Sequence, residues 1–179
     1  MTMGFFSEII AEIESGEITS RAQLEKRKKE LCKRHGVTRI PTNAEILSRA
    51  LGRGIGHGPV PCPSPLLLTK PTRSLSGVSV VAVMTKPQEC PGECVYCPRG
   101  EAAQSYTGHE PAALRARQNG FDPVRQTRSR LRQLSGSGHP TDKIEVIVMG
   151  GTFTAIPSAY QEEFVLGVFN ALNGKKSRT

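Results

Sequence analysis

The sequence predicts an α/β fold in which a small helical unit precedes a strand–helix–strand segment, and three observations carry that prediction. Apolar residues recur at helical spacing near the N-terminus. The apolar run 78–84 reads as a buried strand, and 143–149 as a second strand after a helix-rich stretch. Between these regions, residues 51–77 are punctuated by Gly52, Gly54, Gly56, Gly58, Pro59, Pro61, Pro63 and Pro65 and read as a linker. The expected organisation is a basic helical unit over 1–50, a Gly/Pro-rich linker over 51–77, and an α/β segment over 78–179.

Phe5, Phe6, Ile9, Ile10 and Ile13 place an amphipathic helix over about 4–14, and Gly16 ends it. Thr19 or Ser20 can cap a second helix running to His35, with Gly36 where a left-handed C-cap belongs. Its apolar seam is narrow, Leu24 and Leu31, and Lys26, Arg27, Lys28, Lys29, Lys33 and Arg34 crowd the other faces. After a turn at 37–43, Thr42 or Asn43 can cap a third helix through Ala50. Beyond the strand at 78–84, helix extends to about Leu134, and its Arg115, Arg117, Arg125, Arg128, Arg130 and Arg132 make a second basic surface. Gly136 and Gly138 end it before the second strand. A last helix over 158–173 carries Phe164, Val165, Val168, Phe169 and Leu172 on one side, with Gly174 after it. A parallel pair of strands joined by helix is the natural product of this order.

The chemistry concentrates in Cys90-Pro91-Gly92-Glu93-Cys94-Val95-Tyr96-Cys97-Pro98, directly after the first strand. Loops at the carboxyl ends of such strands are where α/β proteins place their sites. Three thiolates spaced Cys-x3-Cys-x2-Cys can hold a four-iron, four-sulfur (4Fe-4S) cluster at three corners and leave one iron for a small chelating molecule. Tyr96 supplies an aromatic that can lie against that molecule. The other reading is a structural zinc knuckle, which needs four closed ligands and draws the fourth from Cys62, His57 or His109. Gly150-Gly151-Thr152, immediately after the second strand, is either a tight turn or a place where backbone is left open to a ligand.

With 179 residues, 37% of them hydrophobic, the chain can bury one core and a small appendage. No apolar run approaches the ~20 residues of a membrane span. An odd cysteine count, five, and a polar N-terminus without a signal sequence point to a reducing cytoplasm rather than a disulfide framework. The net charge of +8 is uneven. Residues 1–25 hold Arg21 against five glutamates, whereas 26–73 hold eleven lysines and arginines against Glu30 and Glu45. A polyanionic partner fits that asymmetry, and few aromatics accompany the bases, so phosphate contact is the natural role. A basic helix is equally often a solvated surface.

The cysteine spacing with Tyr96 resembles the radical S-adenosylmethionine superfamily. More specifically, Lys70-Pro71-Thr72-Arg73, Ser76-Gly77-Val78, Val80-Val81-Ala82-Val83-Met84, Val95-Tyr96-Cys97-Pro98, Thr107-Gly108, Gln126-Thr127-Arg128 and Val148-Met149-Gly150-Gly151-Thr152-Phe153 resemble the catalytic subunit of Elongator in its archaeal form. That resemblance implies a tRNA-modifying acyltransferase acting on C5 of the wobble uridine, U34, with a 4Fe-4S cluster, S-adenosylmethionine, and acetyl-CoA as donor. It implies that Cys90, Cys94 and Cys97 hold the cluster and that Gly150, Gly151 and Thr152 receive the amino group of S-adenosylmethionine. It also implies that Lys143 contacts acetyl-CoA, and that the N-terminal unit binds tRNA, with Lys29, Lys33, Arg34 and Arg39 as regional candidates. The fold implied is a radical S-adenosylmethionine (TIM-like) barrel that is incomplete, because such a barrel has about six strand–helix units and this chain supplies two. The expected partners are tRNA and, on a longer or second chain, the missing barrel and acetyltransferase portions. Alone, these residues are expected not to turn over. A rival expectation is a non-catalytic RNA-binding module with zinc on the cysteine loop.

Overall fold

A computed structural model describes residues 2–50, 65–98 and 105–174; Cys62, His57 and most of the predicted linker lie outside the described residues. The elements run in the order α1 (Thr2–Glu14), α2 (Arg21–His35), α3 (Asn43–Ala50), β1 (Ser79–Met84), α4 (Pro111–Gln118), α5 (Pro123–Gly136), β2 (Ile144–Met149) and α6 (Ser158–Asn173), with short 3-10 turns at Pro71–Ser74 and Phe153–Ala155. The chain forms two compact units, Met1–Ser79 with Arg132–Lys143, and Val80–Leu131 with Ile144–Thr179.

The first unit is built on α1, α2 and α3. Phe5, Ile9 and Ile13 of α1 pack with Ile18, Leu24, Leu31, Cys32, Ile46, Leu47 and Leu67 in one buried cluster. The helix ends follow local chemistry. Ser20 accepts from the Gln23 amide while the Gln23 side chain accepts from the Ser20 amide, a reciprocal cap, and Gly36 closes α2 at φ 63°. Thr42 and Glu45 form the same reciprocal pair at the start of α3. Glycine at position 4 has a packing reason, since a Cβ there would stand 2.9 Å from the His35 ring.

Here the structure corrects the expected charge distribution on α2. Lys28, read as a surface base, is only 4% exposed, and its ammonium donates to Glu25 and to the Asn43 side chain, both at 3.0 Å. A buried ammonium needs such partners. Arg27 donates to both carboxylate oxygens of Glu12 and also pairs with Glu30 and Glu8. Arg34 and His35 pair with Glu8, and Arg39 pairs with Glu45. The His35 hydrogen bond, together with Arg34 and Arg27, holds the Glu8 carboxyl below the ordinary carboxylate range.

β1 and β2 form a small parallel sheet. The Ser79 amide donates to the Lys143 carbonyl at 3.0 Å and the Thr85 amide to the Met149 carbonyl at 2.9 Å, so partners advance in the same direction. Two strands, β1 and β2, pair among the described residues. Val81, Val83 and Met84 are fully buried, and Met84 packs with Ala113 and Ala116 of α4 beside Tyr106, Phe121 and Met149. The stretch read as one helix-rich segment is two helices, broken at Asn119–Asp122, where Phe121 takes φ 57°. On α6 the apolar stripe is wider than the buried face. Phe164, Val168 and Ala171 are buried, yet Val165 and Phe169 are exposed, as are Ile147 and Val148 of β2.

One buried side chain fixes the end of β1. Gln126 of α5 accepts from the Met84 amide at 3.0 Å and donates to the Met84 carbonyl at 2.9 Å, standing in for a neighbouring strand. Replacing it by alanine orphans two buried backbone groups at about 1–3 kcal/mol each. Gln126→Ala should lower unfolding free energy by about 2–5 kcal/mol in chemical denaturation; a loss below ~0.5 kcal/mol would show that this clamp carries no stability.

Candidate functional site

Because β1 and β2 are parallel, their carboxyl ends lie together, and each runs directly into one of the sequence's two motifs. The cysteine loop leaves β1 and the glycine turn leaves β2. They meet where Cys90 Sγ lies 3.3 Å from Thr152 Oγ1. That hydroxyl, and then the Gly92 amide, hold the Cys90 thiol below the ordinary cysteine range. Gly92 stands between two of the sulfurs: a Cβ on it would be 3.8 Å from both Cys90 Sγ and Cys94 Sγ. Cys97 closes the turn, its amide donating to the Cys94 carbonyl at 3.1 Å, and its sulfur lies 3.5 Å from Ser105 Oγ. Tyr96 is 90% exposed beside it.

The glycine turn is pinned from the other side. Gly150 has φ 148°, and a Cβ there would stand 2.3 Å from Thr85 Oγ1. Thr85 is 1% exposed, and its hydroxyl has no hydrogen-bond partner among the described residues. Only glycine fits both the backbone angle and the approach of Thr85. Downstream of the cysteines, Glu110 folds back on its own loop. Its carboxylate accepts from the amide and hydroxyl of Thr107, both at 2.8 Å, and from the Gly108 amide at 3.0 Å. Those bonds, led by the Thr107 amide, push the Glu110 carboxyl down to about 2.

A family model described as the ELP3 N-terminal domain matches residues 2–52. The tRNA uridine(34) acetyltransferase of Methanocaldococcus infernus is 42% identical over 180 residues, covering 96% of this chain and 33% of the relative. Its Methanocaldococcus jannaschii counterpart is 41% identical over 93% of this chain and 31% of its own length. The chain is homologous to archaeal Elongator protein 3 over nearly all of its residues. Elongator complex protein 3 of Saccharomyces cerevisiae is 46% identical over 62% of this chain and 22% of its own. A solved structure titled as M. infernus Elp3 with an N-terminal deletion matches at 38% identity and TM-score 0.41, over 57% of this chain and 18% of that one. The chain spans about a third of the length of the archaeal relatives it matches.

The family resemblance implies a cluster on Cys90, Cys94 and Cys97, and thiols on one short loop are a donor set of the kind such a cluster takes. Cys90 and Cys94 converge about a side-chain-free Gly92, and one thiol is already biased toward thiolate, the form that ligates metal. The three cysteines share one short loop without being drawn into a metal-holding group among the described residues. Lys143 is placed apart. It precedes β2 while Gly150 follows, so the two flank opposite ends of the strand. Lys29 and Lys33 are exposed, whereas Arg34 and Arg39 face carboxylates.

Sequence reasoning gave no role to Thr85, Gly92, Glu110 or Gln126. For Glu110 a signal was available, because Thr107-x-x-Glu110 ahead of a helix is a reciprocal-cap spacing. Thr85 and Gln126 act through distant partners that no local pattern reveals.

Two outcomes test this geometry. Gly150→Ala should destabilise the chain by about 1–3 kcal/mol, and adding Thr85→Ala should recover only part of that, because the backbone strain at φ 148° remains; full recovery in thermal denaturation would mean that only the contact mattered. For Glu110, a folded value below the unfolded one means its contribution is complete above about pH 4.5, shrinks as pH falls, and is gone near pH 2. Amide exchange at Thr107 and Gly108 should therefore quicken across that window, and Glu110→Gln should remove the pH step.

Proposed function

We propose that this chain is the RNA-docking and cysteine-loop portion of a radical S-adenosylmethionine enzyme that modifies C5 of the tRNA wobble uridine with acetyl-CoA as donor. The observation that carries the reading is the meeting of the cysteine loop and the glycine turn, Cys90 against Thr152, at the carboxyl end of paired parallel strands. Its support outside the fold is the family relationship and the names of the archaeal relatives.

In this reading Cys90, Cys94 and Cys97 hold a 4Fe-4S cluster on the first loop of an incomplete barrel. Bound there, the cluster supplies the electron that splits S-adenosylmethionine reductively. The chain's own residues do the positioning. Gly150 and Gly151 present backbone without side chains to the amino group of S-adenosylmethionine, and Thr152 ties that turn to the cysteine loop. Tyr96, held out beside Cys97, lies against the bound molecule. Lys143 takes the acetyl-CoA contact, at the other end of β2 from the cysteines. The helical unit docks tRNA, and a longer or second chain completes the barrel and brings the acetyltransferase portion.

Anaerobic reconstitution with iron and sulfide tests the central assignment. About four irons and four sulfides per chain with broad visible absorption are expected, and Cys90→Ala, Cys94→Ala or Cys97→Ala should each abolish the colour. One tightly held zinc per chain, without colour, would overturn the reading in favour of a zinc-bearing RNA module.

A further inference from the structure

The bases of α2 divide into two classes that their sequence does not separate. Arg27 and Arg34 lie on the flank of the helix that meets α1, where Glu8 and Glu12 take them up. Lys28 is buried against α3 through Asn43. Lys26, Lys29 and Lys33 remain, spaced i, i+3 and i+7 and all exposed. At about 100° per residue these three share about 60° of arc, opposite the buried Leu24 and Leu31. No ion pair joins any of the three to a carboxylate among the described residues. The acids that flank the ridge are both engaged elsewhere, Glu25 by Lys28 and Glu30 by Arg27.

We propose that this ridge, Lys26, Lys29 and Lys33, is the surface of the helical unit that contacts the phosphodiester backbone of an RNA strand, and that the arginines of the same helix are structural. The inference rests on the RNA-docking reading and assigns it to particular side chains. Binding to a polyanion is driven by release of the counterions that phosphates hold. A lysine facing only solvent releases them in full when it meets a phosphate. An arginine already facing a carboxylate must first give up that contact, so its gain is smaller. The three ammonium groups extend over two helical turns, about 10 Å, which suits contact with neighbouring phosphates along one strand better than recognition of a single base. α2 carries no Phe, Tyr or Trp, and its one imidazole, His35, is held by Glu8, so the ridge offers no platform for stacking on bases.

The test is filter binding of the full 179-residue chain to an unmodified tRNA transcript across a salt series. The triple variant Lys26→Gln, Lys29→Gln, Lys33→Gln should show a log–log salt slope shallower by about two to three, with the melting temperature unchanged. Lys29→Gln alone should lose about one. The triple arginine replacement at the same positions should keep the wild-type slope, and Arg34→Gln should change it by less than about half a unit. A triple glutamine variant with the wild-type slope, or an Arg34→Gln loss equal to it, overturns the ridge while leaving RNA docking standing. A wild-type chain that binds the transcript without salt dependence overturns the docking reading itself.

Discussion

The parallel pairing of β1 with β2 is the constraint on which the candidate site depends. It is held by a ladder that begins at the Ser79 amide on Lys143 and ends at the Thr85 amide on Met149. In an antiparallel pair the two motifs would leave from opposite ends of the sheet, whereas here both leave from one end. The last rung also places the Thr85 hydroxyl against Gly150, so sheet register and glycine turn are set by the same residue. Gln126 then saturates Met84, one residue earlier, and fixes the point at which the chain departs for the cysteines.

Much of this was legible in the sequence because it is local. The 3.6-residue spacing of Phe5, Ile9 and Ile13 gave α1, and Ser20 and Gly36 gave both ends of α2, since helix termini are satisfied by neighbours in the chain. The runs 78–84 and 143–149 gave the strands to within a residue. The cysteine and glycine motifs were visible as residue types at a spacing. Their meeting through Cys90 and Thr152, sixty-two positions apart, was not.

What the sequence could not show is tertiary in origin. Lys28 reads as a surface base until Asn43, fifteen residues on, is placed beside it. The exposed Phe169 and Val165 on α6 sit on a stripe whose periodicity promised burial, and periodicity reports which residues share a face without reporting what covers it. Charge is the clearest case. Composition gave a basic segment, yet pairing with α1 withdraws Arg27 and Arg34 and leaves lysines outward. Exposed ion pairs of this kind contribute little to stability. Their larger effect is to decide which cations remain for a partner, while the apolar cluster around Phe5, Ile9 and Leu31 holds the helices together.

Crosslinking tests most directly whether the two loops share one end of the sheet. With Thr152 changed to cysteine, Cys90 kept, and the remaining cysteines replaced by serine or alanine, mild oxidation should close a disulfide between positions 90 and 152 rapidly in the folded chain. The same cysteine placed at position 143 should leave Cys90 free. Equal crosslinking from 143, or none from 152, would contradict the arrangement from which the site is built.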